Sequence, residues 1–224
     1  MNSQPDEPLP IDKALSPLRK VLDRIWAELA LSSEGPQRIL FVSPGHDTGT
    51  TTLAAWTALG LARNTGERVA LVELNGFSPA LASYIDIAPT PGVVDVIDGR
   101  VGVEDALKNA RVSGLDVLTG HGERPMREHD FNPKKIRGLL DQVSQGHQFT
   151  IIDGPPLLEH QGARLLLPLV DGAVLVLRSG ETRKHDAQNA VEILEQAGVP
   201  ILGTVLNRFR SDMPFRIGSR KWLG

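Results

Sequence analysis

Ser43-Pro44-Gly45-His46-Asp47-Thr48-Gly49-Thr50-Thr51-Thr52 decides the fold. The stretch follows an apolar run, 39–42, and precedes a run of helical character, 51–62. That order of strand, loop and helix builds a phosphate cradle. Against the pattern G-x-x-x-x-G-K-[ST], Pro44 holds the first position, Gly49 the second glycine, Thr50 the place of the lysine and Thr51 that of the hydroxyl. Gly45 and Gly49 let backbone N–H groups turn onto an anion, and the start of the following helix adds its positive dipole end. The nucleotide-binding set is therefore Gly45, His46, Asp47, Thr48, Gly49, Thr50, Thr51 and Thr52. The point charge that a lysine brings to the β- and γ-phosphates is missing.

Composition bounds the rest. The chain has 224 residues, 41% hydrophobic and 23% charged, the size of one ordinary α/β domain. A net charge of −3 gives no global electrostatic case for nucleic acid. With no cysteine there are no disulfides or thiolate metal sites, which suits a reducing compartment. Residues 1–13 lack a basic-then-apolar secretory pattern, and the longest apolar stretch, 165–177, is broken by Pro168 and Asp171. A soluble, cytoplasmic protein is expected.

Read for period, the chain alternates strand-like and helix-like segments. Residues 1–10 are polar and proline-bearing and read as a flexible leader. Ile11, Leu15, Leu18, Leu22, Ile25, Trp26 and Leu29 then recur at helical spacing and predict one amphipathic helix. Strands are expected at 38–42, 68–73, 115–118, 149–153, 173–177 and 201–206, each separated from the next by a crossover long enough for a helix. This is an α/β fold with a mainly parallel central sheet and helices on both faces, spanning 11–207. Gly60 interrupts the helix after the loop at about 1 kcal/mol relative to alanine, and close packing on the sheet is the expected reason. Arg183-Lys184-His185-Asp186 reads as the polar first turn of a later helix.

Two further segments bear on the site: Val69-Ala70-Leu71-Val72-Glu73-Leu74-Asn75 and Phe149-Thr150-Ile151-Ile152-Asp153-Gly154-Pro155-Pro156. Ligands sit at the carboxyl ends of parallel strands, so Glu73 and Asp153 should converge on the mouth of the loop. Two carboxylates there, with the Thr51 hydroxyl, would hold Mg²⁺ directly or through water. The other reading is that each carboxylate caps the next turn or helix.

With these motifs in order, the chain resembles the cytoplasmic kinase domain of the bacterial tyrosine autokinases of capsule and exopolysaccharide export, within the MinD- and ParA-like P-loop ATPases. SPGHDTGTTTLAAWTALGLA matches the loop and helix of that family, VALVELNGFSP its second acidic motif, and PTPGVVDVIDGRVGVEDAL a segment of "PGLSDVLxGxxxLEDAI" character. FTIIDGPPLL stands where the family has "DxVIIDTPP", and LVDGAVLVLRSGETRKHDAQNAVEILEQAGVPILGTVLNRF follows its last strand-helix-strand unit. The resemblance implies the P-loop fold, ATP or ADP with Mg²⁺, and work at the inner face of the plasma membrane with a membrane polysaccharide co-polymerase, the chain-length regulator. A homo-oligomer is also implied, although the family's Glu-x-x-Arg-x-x-Arg ring helix is met only by Arg19, Lys20 and Arg24 at other spacings. A ParA- or MinD-like positioning ATPase is the alternative; the proline pair after Asp153 favours the autokinase branch.

The departures cluster in the chemistry. Thr50 replaces the lysine, and the family's Asp-x-Asp-x-Arg reads Glu73-x-Asn75-x-Phe77, so the second acid is an amide that accepts no proton. The family's terminal tyrosine cluster has no counterpart, since Tyr84 is the single tyrosine. Losing one cationic contact in phosphoryl transfer costs on the order of 10³-fold in rate. A regulatory pseudokinase is expected, with residual kinase or ATPase activity as the alternative; Glu73 and Asp153 are the candidate catalytic residues.

GHGERPMREHD, which carries His121, Glu123, Glu128, His129 and Asp130, has no tight metal spacing and reads as a solvated loop. His46 touches phosphate or is merely exposed. The basic and apolar tail 208–224 has Arg208, Arg210, Arg216, Arg220 and Lys221 beside Phe209, Phe215, Ile217, Trp222 and Leu223. It suits a peripheral contact with an anionic membrane, a partner groove, or a plain basic tail.

Overall fold

The computed structural model describes residues 9–15, 19–31 and 37–208. The helix predicted before the first strand is two helices, α1 (Pro10–Leu15) and α2 (Arg19–Leu31). The sequence between them contains Ser16-Pro17, and a residue before proline is disfavoured in the helical region. Leu9, placed in the leader by sequence, is buried, and its N–H donates to Asp12 at 2.9 Å.

The strands follow as read: β1 (Gln37–Val42), then, after the glycine loop, α3 (Thr50–Thr65) and β2 (Val69–Glu73). Four short elements come next, α4 (Leu81–Ile85), α5 (Val93–Ile97), α6 (Val103–Ala106) and β3 (Lys108–Asn109). They are followed by β4 (Leu115–Leu118), α7 (Pro133–Ser144), β5 (Phe149–Asp153), α8 (Gln161–Leu166), β6 (Gly172–Arg178), α9 (Lys184–Gln196) and β7 (Ile201–Asn207). The seven strands form one sheet in the order β3-β4-β2-β5-β1-β6-β7. All pairs are parallel except β3 with β4, a two-residue edge strand absent from the expected list.

Strand alternation sends β1 side chains to opposite layers. Ile39 and Phe41 pack with α3 and α4, whereas Leu40 and Val42 pack with the layer of α5, α7, α8 and α9. Both faces are covered, as a parallel sheet requires. Asn132 caps α7 by accepting from the N–H groups of Lys134 and Lys135, with Pro133 in the first turn.

Gly60 is needed for a reason other than the sheet. A Cβ there would lie 2.1 Å from Cδ1 of Trp26, so the indole of α2 lies across α3 at this point. The segment of His121 to Asp130, read as a solvated loop, exposes Glu123, Arg127, Glu128 and His129 but is anchored at other positions. Arg124 holds Asp130 through both guanidinium ends at 2.7 and 2.8 Å and Asp98 at 2.7 and 2.9 Å, and Met126 and Asp130 are buried.

Candidate functional site

β1 is central in the sheet, flanked by β5 and β6, so the loop leaving it opens over the carboxyl ends of its neighbours. Gly49 adopts φ +89°, a left-handed conformation that lets the chain enter α3, and a Cβ there would stand 2.2 Å from Asn207 Nδ2. Asn207, at the end of β7, donates to the Thr48 carbonyl at 2.7 Å and so ties the loop to the far side of the sheet. The Ser43 hydroxyl donates to the Gly45 carbonyl at 2.8 Å.

Thr50, in the place of the lysine, is buried, and its hydroxyl lies 2.8 Å from that of Thr48. The two satisfy each other and bring no charge. Thr51 donates to Asp153 Oδ2 at 2.7 Å, while Asp153 Oδ1 is buried with no hydrogen-bond partner. Burial holds the Asp153 carboxyl well above the usual carboxylate range; the neighbouring Glu73 charge pushes the same way, and the Thr51 hydroxyl opposes both.

Glu73 faces Asp153 in the β2–β5 register, and both are fully buried. Glu73 was expected to hold Mg²⁺ directly or through water; in the structure backbone N–H groups engage both of its oxygens. Its Oε1 accepts the N–H groups of Ala80 at 2.6 Å and Leu81 at 3.0 Å, and Oε2 accepts that of Gly120 at 2.7 Å. The carboxylate thus caps the start of α4 and pins the segment after β4, the capping role that was the other sequence reading. Burial raises its pKa, although all three N–H groups favour the charged form. Among the described residues no group of three or more His, Asp or Glu side chains is placed to hold a metal ion. Thr51 with Asp153 remains as a half-built site of the kind Mg²⁺ uses, one carboxylate and one hydroxyl completed by phosphate oxygens and water. The orphaned Oδ1 fits such an ion, which would take the place of the carboxyl proton.

The cavity over the loop, about 210 Å³, is lined by residues 45–52 together with Asn75, Phe77, Tyr84, Glu159, His160 and Arg208. His46 is exposed; its backbone N–H donates to Glu159 Oε1 at 3.2 Å and its Nδ1 lies 3.6 Å from the same oxygen. A carboxylate therefore occupies one of the amides expected to face phosphate. Phe77 stacks on His160 with ring centroids 3.9 Å apart at 10°, and on Phe131 at 5.8 Å. Sequence reading missed Glu159, His160 and Asn207. The first two sit six and seven residues beyond Asp153 in the turn leading to α8, and Asn207 closes the last apolar strand; position at a strand's carboxyl end was the available signal. Arg208, assigned by sequence to the tail, lines this cavity; residues 209–224 lie outside the described residues.

Sheet order, the glycine loop after a central strand and a strand-end aspartate bound to the first hydroxyl of the next helix define a P-loop NTPase fold. Within that class the chain is similar to bacterial proteins named tyrosine-protein kinases. It is 27% identical to the tyrosine-protein kinase YwqD of Bacillus subtilis over 80% of this chain and 76% of that protein. It is 25% identical to the tyrosine-protein kinase ptk of Acinetobacter johnsonii, over 88% of this chain but 26% of that protein. Among solved structures, the VpsO kinase domain superposes with a TM-score of 0.77 at 28% identity, covering 89% of this chain and 98% of that one. The septum site-determining protein MinD of Pyrococcus horikoshii, complexed with Mg-ADP, superposes at 0.63 and 25% identity, over 77% and 70%. No protein-family model matches the chain. No described helix is long and apolar enough to cross a membrane.

Proposed function

We propose that this chain is a nucleotide-binding, kinase-like regulatory protein of capsule or exopolysaccharide export. In this reading it has little or no tyrosine kinase activity and acts with a membrane polysaccharide co-polymerase at the inner face of the plasma membrane. The observation that carries the reading is the Thr48–Thr50 pair: where phosphoryl transfer needs a cation, two hydroxyls bond each other. Binding survives this loss better than catalysis does. The loop amides, Thr51 and the dipole end of α3 hold an anion without forming any bond in a transition state. Asp153 and Thr51 would hold Mg²⁺ beside the phosphates, where the ion bridges and neutralises their oxygens. Glu73 acts at one remove, by fixing the loop after β2 and the backbone at Gly120. The tail 208–224 would add a salt-sensitive membrane contact, and a homo-oligomer is compatible with the family resemblance.

A second reading, residual kinase activity toward the chain's own tyrosine, is favoured by one observation: Tyr84 lines the cavity over the loop. Incubation with Mg-ATP followed by mass spectrometry separates the two. Nucleotide bound in calorimetric titration with no phosphate on Tyr84 supports the regulatory reading; stoichiometric phosphotyrosine overturns it.

A further inference from the structure

With Thr50 neutral and its hydroxyl engaged, a bound diphosphate needs charge from another wall of the cavity. His160 lies on that wall with its side chain 24% exposed, and its ring is fixed twice. One face stacks on Phe77, the residue standing third in the Glu73-x-Asn75-x-Phe77 pattern. Its Nδ1 lies 2.8 Å from Glu128 Oε1, and the second oxygen of Glu128 is itself held by the Gly162 N–H at 3.1 Å. A carboxylate on Nδ1 keeps a proton on that nitrogen, which fixes the tautomer and leaves Nε2 as the position where a second proton comes and goes. Among the described residues Nε2 carries no hydrogen bond.

Building on the nucleotide-binding reading above, we propose that His160 takes up a proton at Nε2 when nucleotide enters and binds the phosphates as an imidazolium, supplying the charge that Thr50 lacks. An anion next to a histidine favours its charged form, and a charge-assisted N–H bond to phosphate is roughly twice as strong as a neutral one. Glu128 is the charged group on the ring itself, and the other charged and titratable groups lining the cavity are His46, Asp47, Tyr84, Glu159 and Arg208. Arg208 brings charge without proton uptake, because a guanidinium stays protonated at any working pH. Glu128 is held on the far nitrogen of the ring, its oxygens engaged by His160 Nδ1 and the Gly162 N–H.

The test is calorimetric titration of the full chain with Mg-ADP about one unit above the ordinary histidine pKa, in buffers of different ionisation enthalpy. The expected result is that the parent takes up more protons on binding than His160→Gln does, because any proton that Mg²⁺ displaces from Asp153 is released by both chains. His160→Gln should also weaken affinity about tenfold. Adding Thr50→Lys to that variant should restore affinity without restoring the difference in proton uptake. If His160→Gln does not fold, Glu128→Gln replaces it, with the difference reduced. A proton balance that is the same in the parent and in His160→Gln overturns the role of His160 and leaves nucleotide binding intact. Failure of the parent chain to bind Mg-ADP overturns both.

Discussion

The Thr51 hydroxyl donates to Asp153 Oδ2 at 2.7 Å, and this one bond joins the start of α3 to the end of β5. The other oxygen of Asp153 is left buried and unpaired beside Glu73. A buried carboxylate with one donor is a poor element of stability and a good place for a cation.

Asp153→Asn should raise stability at neutral pH. The folded-state pKa of Asp153 is raised, so its contribution to folding is present below the ordinary aspartate value of 3.8 and is lost as pH rises through the folded value. The variant escapes that loss. Its melting temperature should exceed the parent's by a few degrees near pH 7, and the gap should close in acid. The same change should remove any Mg²⁺-dependent part of ADP affinity. A lower melting temperature at pH 7 would show that the ionised carboxylate is stabilising.

Glu159→Gln should strengthen anion binding. Glu159 Oε1 sits on the His46 N–H and 2.9 Å from where a Cβ of residue 45 would stand, so the carboxylate competes with phosphate for the loop. Pyrophosphate affinity should rise severalfold, consistent with removal of one like charge at a part-exposed site. An unchanged affinity would mean that Glu159 swings away freely.

Gly49→Ala should damage the loop twice, through the left-handed backbone and through Asn207. The strain of φ +89° costs about 1–2 kcal/mol for a residue with a Cβ. Asn207→Ala in the same chain should relieve the clash and not the strain. Thermal melts of both single variants and the double variant measure the two parts separately; full additivity would refute the contact.

Arg124→Ala should destabilise by about 1–3 kcal/mol, because it leaves the buried Asp130 without its bidentate partner. Burial pushes Asp130 upward, but Arg124 and the Arg127 N–H outweigh it and hold the pKa below 3.8. That contribution is present above 3.8 and lost as pH falls through the lowered value. The difference from the parent in urea denaturation should accordingly shrink in acid; a difference that persists below about pH 3 would locate the loss in packing.

Much of this was legible in the residues. Alternating apolar runs and crossovers of helical length predicted the parallel sheet, and the glycine loop and Asp153 stand where strand ends in such a sheet must bring them. The short elements between β2 and β4 were not legible, since helices of four or five residues carry too little period to be recognised. The break between α1 and α2 was hidden by a hydrophobic pattern that runs on through Pro17.

What the sequence determined by itself was the fold, the lineage and the absence of a charge at Thr50, because each follows from local pattern or from residue identity. The tertiary structure alone decided where the remaining side chains place their hydrogen bonds. Glu73 faces the site by its register and yet gives its oxygens to Ala80, Leu81 and Gly120. Phe77 and His160 lie far apart in the chain and still form one stack beside the loop. A carboxylate or a ring near a site has several partners open to it. Which one it takes depends on distances set by how the sheet and its loops close, and no spacing along the chain encodes those distances.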